Sequence, residues 1–276
     1  MCGIVGYVGS QQASGRPLDV VLEGLRRLEY RGYDSAGVAL VGPGKGLETA
    51  KKAGKLANLV EELDARPLDD STAAIGHTRW ATHGGPTDTN AHPHVAGRLA
   101  LIHNGIVENF ASLKAELVAD GVEFVSETDT EVAAHLVSRA YDASGDLTAA
   151  MTSVVRTLHG TFTLLAVHAD DPSTVVGARH DSPLVVGLGE GENFLGSDVS
   201  AFIAHTREAL ELGQDQVVTI TPDDVRVTDF DGQPAQARRY TVDWDAAAAE
   251  KGGFRSFMDK EIHDQPQAVA DTLLGR

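Results

Sequence analysis

Residues 1–9 read Met-Cys-Gly-Ile-Val-Gly-Tyr-Val-Gly. From Ile4 to Val8 β-branched residues stand between glycines, which predicts a buried strand starting almost at the chain terminus, with Cys2 at its mouth. The same stretch has no basic leader and no long apolar run, and nowhere does the chain approach the ~18 apolar residues of a membrane span. Cys2 is the only cysteine, so no intramolecular disulfide can form. Together these features predict a soluble cytoplasmic protein.

Working outward, Leu18, Val21, Leu22, Leu25 and Leu28 recur at helical spacing behind Pro17, predicting an amphipathic helix to about Glu29 that ends near Gly32. Gly37 to Val41 reads as a strand, and Gly42-Pro43-Gly44-Lys45-Gly46 as a turn that lacks phosphate-loop spacing. Leu56, Leu59, Val60 and Leu63 mark a second helix. Thr128 and Glu131 form a capping-box pair that opens a third, with Asp129 in its first turn, and Leu147 to Leu158 predicts a fourth. Strand-like runs follow at 162–167 and 175–178, in a hairpin around Gly187–Gly191, and at 216–220 and 225–228. The strands cluster rather than alternate with helices, which predicts an α+β fold with largely antiparallel sheets. From about Ala246 the texture changes to a polar stretch and a helical tail, readable either as a linker into further sequence or as an arm packed on the same domain.

The 276 residues are 42% hydrophobic and 23% charged, the profile of a globular protein. With 23 Lys and Arg against 40 Asp and Glu, the net charge is −17, which disfavours nucleic acid and anionic lipid surfaces as partners.

Cys2 is the sharpest chemical feature. Once Met1 is removed, its α-amine lies within reach of its own thiol and titrates near ~7.7 to 8.0, so one residue holds nucleophile and base. The competing reading is a small buried residue near the chain start. From His77 to His94 the chain reads HTRWATHGGPTDTNAHPH, without helical or strand period, as binding loops do. In it, Arg79 offers a planar fork for a carboxylate and Trp80 a hydrophobic cover, against a surface ion pair and a core anchor as the alternatives. His77, His83, His92, His94 and His103 crowd together but lack zinc-site spacing, so no metal is expected. Leu99–Ile102 predicts a buried strand running into His103-Asn104-Gly105. A side-chain amide and a glycine N–H at a strand end make either an oxyanion hole or a plain Asn-Gly turn.

CGIVG at the start, RLEYRGYDSAG at 27–37, HTRWATHG at 77–84, NAHPH at 90–94, HNGIVEN at 103–109 and SETDTEV at 126–132 closely resemble the glutaminase domain of the glucosamine-6-phosphate synthase family, the isomerising glutamine:fructose-6-phosphate aminotransferases. The resemblance implies an N-terminal-nucleophile hydrolase αββα sandwich over residues 2 to about 240. It makes 241–276, with MDKEIHDQP at 258–266, a linker and the start of an absent sugar-isomerase half. It further implies Cys2 as nucleophile, Asn104 and the Gly105 N–H as oxyanion hole, and Arg79 and Asp129 on the α-carboxylate and α-ammonium of L-glutamine. Thr82 and His83 would shape the lid, and Trp80 the exit for ammonia. No cofactor is implied. Fructose 6-phosphate would be met only through the absent half, and the full-length enzyme would be a homodimer, this piece a monomer. Amidophosphoribosyltransferases and asparagine synthetases share the Cys2 start, but RLEYRGYDSAG and SETDTEV favour the aminosugar branch. A non-hydrolytic glutamine-sensing module is the reading from outside the enzymes.

Overall fold

The computed structural model describes residues 2–10, 13, 15–243, 254 and 257–273. Met1, whose removal the sequence anticipates, and, in the segment expected from 241 onward, residues 244–253, 255, 256 and 274–276 lie outside them.

Two antiparallel sheets face each other. The first runs β14 (Arg238–Thr241), β11 (Glu208–Glu211), β9 (Val185–Leu188), β10 (Glu192–Gly196), β1 (Gly3–Gly9), β4 (Ala73–Arg79), β2 (Ser35–Gly42), β3 (Gly46–Ala53). The second runs β13 (Val225–Asp229), β12 (Gln216–Ile220), β8 (Asp171–His180), β7 (Gly160–His168), β6 (Leu99–Val107), β5 (His94–Ala96). Helices α1 (Pro17–Leu28) and α2 (Leu56–Ala65) cover the outside of the first sheet, while α3 (Phe110–Ala119), α4 (Asp129–Ser144) and α5 (Leu147–Val155) cover the second. The layers are therefore αββα, and the α+β expectation holds.

Strand parity explains the layering, because successive side chains point to opposite faces. On β1, Val5 and Tyr7 join the core under α1, whereas Ile4 and Val8 join the core between the sheets. On β4, Ala73 and Ile75 face that inter-sheet core, and on β6 so do Ala100 and Ile102. Carrying the same parity onward brings Cys2, just before β1, His77 and Arg79 on β4, and Asn104 on β6 to the inter-sheet space at one end of the sandwich.

The 77–94 stretch is not aperiodic throughout: His77–Arg79 complete β4 and His94 opens β5. The alternation was hidden because the inward positions there carry His and Arg rather than aliphatic residues. Strands β3, β5, β11 and β14 and helix α3 also escaped the sequence reading. β3 (GLETAKKA) has only Ala50 buried, so it shows no apolar alternation, and β5, β11 and β14 are three or four residues long. The glycine-rich turn at 42–46 is the β2–β3 hairpin, with Gly44 and Gly46 at φ +73° and +82°. β14 pairs with β11 to Thr241, and Val242 is buried. α6 (Phe257–Leu273) carries Pro266 inside it and leaves Met258, Ile262, Val269 and Leu273 exposed. No described helix is long and apolar enough to cross a membrane.

Candidate active site

A cavity of about 400 Å³ opens at the end of the sandwich where these strands converge, and Cys2, Arg79, Trp80, Thr82, Asn104, Gly105 and Asp129 all line it. Its walls come from both sheets and from the first turn of α4.

Cys2 Sγ accepts the Trp80 N–H at 3.1 Å and lies 3.5 Å from the Trp80 carbonyl. Burial pushes its thiol above the ordinary value, against the opposing pull of the Trp80 N–H. The resting group is therefore the thiol, and attack needs a base. Among the described residues no side chain hydrogen-bonds to Sγ, so the base has to come from the Cys2 main chain or from water.

Asn104 Nδ2 donates to the Cys2 carbonyl at 2.8 Å, joining the chain start beside the first sheet to the second sheet. An amide nitrogen carries two hydrogens, so one N–H remains for a ligand. β5 pairs with β6 only as far as Leu101, leaving the rest of that edge open. There the His103 N–H donates to His92 Nδ1 and the Val107 N–H to Asp129 Oδ2. Gly105 stands between these two residues on β6 and lines the cavity. Gly105 has φ +126°, and a Cβ there would come within 1.9 Å of the Thr161 carbonyl oxygen, so the position admits only glycine.

Arg79 is 4% exposed. Its Nη1 donates to Gly85 O at 3.2 Å and its Nη2 to Gly84 O at 3.2 Å and to His83 O. This carbonyl cage holds the guanidinium at the cavity while leaving N–H groups unspent. Asp129, 4% exposed, is the first residue of α4, where the helix dipole favours a carboxylate, and it accepts the Val107 N–H at 2.8 Å. A buried guanidinium and a buried carboxylate thus share one cavity with a thiol and a side-chain amide, an arrangement that suits a zwitterion with an uncharged acyl group.

Of the residues singled out from sequence, His83 stands apart. Its ring packs edge-on against Phe110, 5.4 Å between centroids, and it serves the site through its carbonyl on Arg79 rather than as cavity wall. Trp80 is 48% exposed at the mouth and meets Tyr33 edge-on at 5.6 Å. The loop between β4 and β5 is held from outside. Asn90 Nδ2 bonds Gly85 O and Glu127 Oε2, while Lys51 Nζ donates to the carbonyls of Thr89, Ala91 and Pro93. Sequence reasoning missed Arg31, Thr161, Asp181 and Ser182 in the wall. Asp181 sits at φ +62° on the turn out of β8, a feature no sequence pattern marked.

The histidine cluster, of which His92 and His103 line the cavity, is a hydrogen-bonded layer. His92 Nε2 and His103 Nδ1 both meet Thr130 Oγ1 at 3.1 Å, and His94 Nε2 meets Thr128 Oγ1 at 3.0 Å. Among the described residues no group of three or more His, Cys, Asp or Glu is arranged to hold a metal ion.

Comparison with known proteins agrees with this geometry. The family profile described as "Glutamine amidotransferase domain" matches residues 48–229. Glutamine--fructose-6-phosphate aminotransferase [isomerizing] of Streptomyces coelicolor is 67% identical over the whole chain, which covers 44% of that protein. The protein of the same name from Corynebacterium efficiens is 64% identical, with 45% of it covered. The chain therefore spans less than half the length of these relatives. Among solved structures, glutamine phosphoribosylpyrophosphate amidotransferase from B. subtilis superposes with TM-score 0.68 at 26% identity, over 83% of this chain and 49% of that one. A glutamine aminotransferase class-II domain protein from Silicibacter pomeroyi shares the fold alone, with TM-score 0.54 at 19% identity over 83% of this chain and 99% of that one. The αββα sandwich is thus the N-terminal-nucleophile fold of amidotransferases. With the profile covering well over half of its length, the chain belongs to the glutamine amidotransferase domain family.

Proposed function

We propose that this chain hydrolyses L-glutamine to L-glutamate and ammonia with Cys2 as nucleophile. Arg79 takes the substrate α-carboxylate and Asp129 its α-ammonium, leaving the uncharged carboxamide at Cys2. Sγ attacks the carboxamide carbon while the thiol proton passes to the Cys2 α-amine, freed by removal of Met1. The oxyanion forms against the free Asn104 Nδ2–H and the Gly105 N–H. Collapse expels ammonia with that proton and leaves a glutamyl thioester, which water then opens, restoring the thiol. Thr82 lines the substrate's path, His83 braces Arg79, and Trp80 gates the exit for ammonia.

The observation that carries this reading is the convergence of Cys2, Arg79, Asp129 and Asn104 on one cavity with no side-chain base on the sulfur among the described residues. In the longer protein we take the ammonia to go to fructose 6-phosphate, held by the part corresponding to the rest of the relatives' length, to make glucosamine 6-phosphate in a cytoplasmic homodimer. The similarity to the two aminotransferases supports that step. The direct test is time-resolved glutamate release from glutamine by the wild-type chain and by Cys2→Ala. Turnover by the former alone is expected, and equal rates, or no release by wild type, would overturn the reading.

A further inference from the structure

His77 is fully buried on β4, at the inter-sheet position that follows Ala73 and Ile75 and where alternation would place an aliphatic residue. Its Nε2 lies 3.0 Å from the His103 carbonyl oxygen and 3.0 Å from Asn104 Oδ1, both on the opposite sheet. A backbone carbonyl only accepts, so Nε2 must carry the hydrogen. Nδ1 is then bare in a neutral ring, which agrees with its having no hydrogen-bond partner among the described residues. Burial keeps the ring neutral by pulling its pKa down to about 3.

The same logic fixes the amide of Asn104 without appeal to which atom is drawn as oxygen. The end facing the Nε2–H must be the oxygen, and the end facing the Cys2 carbonyl must be the nitrogen. A flipped amide would set two oxygens against each other at the Cys2 end and present a lone pair where the oxyanion develops. Packing of the imidazole on His92, 4.1 Å between centroids, holds its plane.

We propose that His77 is a positioning residue for the glutaminase reaction: its Nε2–H crosses from the nucleophile's sheet and locks the Asn104 carboxamide with its donor side toward Cys2. The proposal rests on the reading of the previous subsection, in which Asn104 stabilises the oxyanion.

The test compares His77→Gln with His77→Asn. A Gln side chain carries its nitrogen to about where Nε2 sits, whereas Asn stops one bond short, near Nδ1. Loss of an oxyanion donor's aim lowers kcat on the order of 10²-fold. Accordingly His77→Asn should lose about 100-fold in kcat with KM within about threefold of wild type, while His77→Gln should recover kcat to within about fivefold. In an Asn104→Ala background, His77→Asn should cost no further kcat, because the residue acts through Asn104. Retained kcat in His77→Asn, a loss confined to KM, equal losses in both variants at equal melting temperature, or an additive loss on Asn104→Ala would each overturn the proposal. ¹⁵N NMR of the histidine-labelled wild-type chain decides independently of activity, including where His77→Asn does not fold. A neutral Nε2–H tautomer from pH 8 to 5 is expected, and an Nδ1–H tautomer or an imidazolium would overturn the lock. If wild type releases no glutamate, the function fails while this spectrum still judges the lock.

Discussion

Asp129 serves two masters: it sits at the positive end of α4 and it accepts the Val107 N–H at 2.8 Å, yet it also lines the cavity opposite a buried arginine. Asparagine at this position keeps an oxygen for Val107 and gives up only the charge, so the structural and binding roles separate in one variant. If the carboxylate holds the substrate ammonium, Asp129→Asn should lose about 2 kcal/mol or more of binding, a rise in KM of about 30-fold, with melting temperature nearly unchanged. An unchanged KM with a lowered melting temperature would reduce Asp129 to helix support. Cys2, Asn104 and Gly105, which line one cavity, stood out in the sequence as candidates by residue type: a thiol beside a chain start, and an amide followed by glycine at a strand end. His77 was visible only as one histidine among several. Its role depends on which sheet faces which, seen only where its ring reaches from β4 to His103 and Asn104 on β6 of the other sheet.

The N-terminus of α4 shows how local sequence signals position the site. Thr128 caps the helix by accepting the Glu131 N–H, as the capping-box spacing predicts. The reciprocal arm goes elsewhere: Glu131 accepts the N–H groups of Val125 and Ser126, at 2.9 and 2.7 Å, and the Ser126 hydroxyl at 2.5 Å. Burial would raise its carboxyl, but the bonds from His135, Ser126 and Val125 outweigh that and bring it down to about 2. Its charged form is thus worth stability above the unfolded value of ~4.3, lost as pH falls toward about 2. Glu131→Gln should cost about 1 to 3 kcal/mol and lower the melting temperature by roughly 3 to 10 °C at neutral pH. An unchanged transition would mean that these bonds do not hold the segment before Asp129. Helices α1, α2 and α4 were readable from apolar spacing and caps. α3 buries only Leu113 and Leu117, too narrow a stripe to stand out.

Across the whole molecule, the inter-sheet core ends in a layer of four buried histidines rather than in solvent. Burial lowers His77 and His94 to about 3, takes His92 well below its usual value and also lowers His103. In the unfolded chain each titrates near ~6.5, so all four are neutral in both states above that pH and contribute no pH dependence there. Below it only the unfolded chain takes up these protons, and stability falls by up to about 1.4 kcal/mol per pH unit for each histidine until the folded values are reached. The melting temperature should therefore be nearly flat from pH 8 to 7 and drop steeply from 6.5 to 4.5. A flat profile down to pH 5 would contradict the buried-neutral assignment. The αββα order was expected from the family resemblance, whereas strand clustering alone says α+β but not which strands meet; short strands and polar inward positions at the functional end carry no period to read. What the assembled end of the sandwich claims is a covalent reaction at one atom. Acid-quenching the wild-type chain during glutamine turnover and mapping the adduct by mass spectrometry tests this directly. A glutamyl thioester on the peptide holding Cys2, formed before steady state, is the expected result, and turnover with no adduct, or an adduct on another residue, would contradict it.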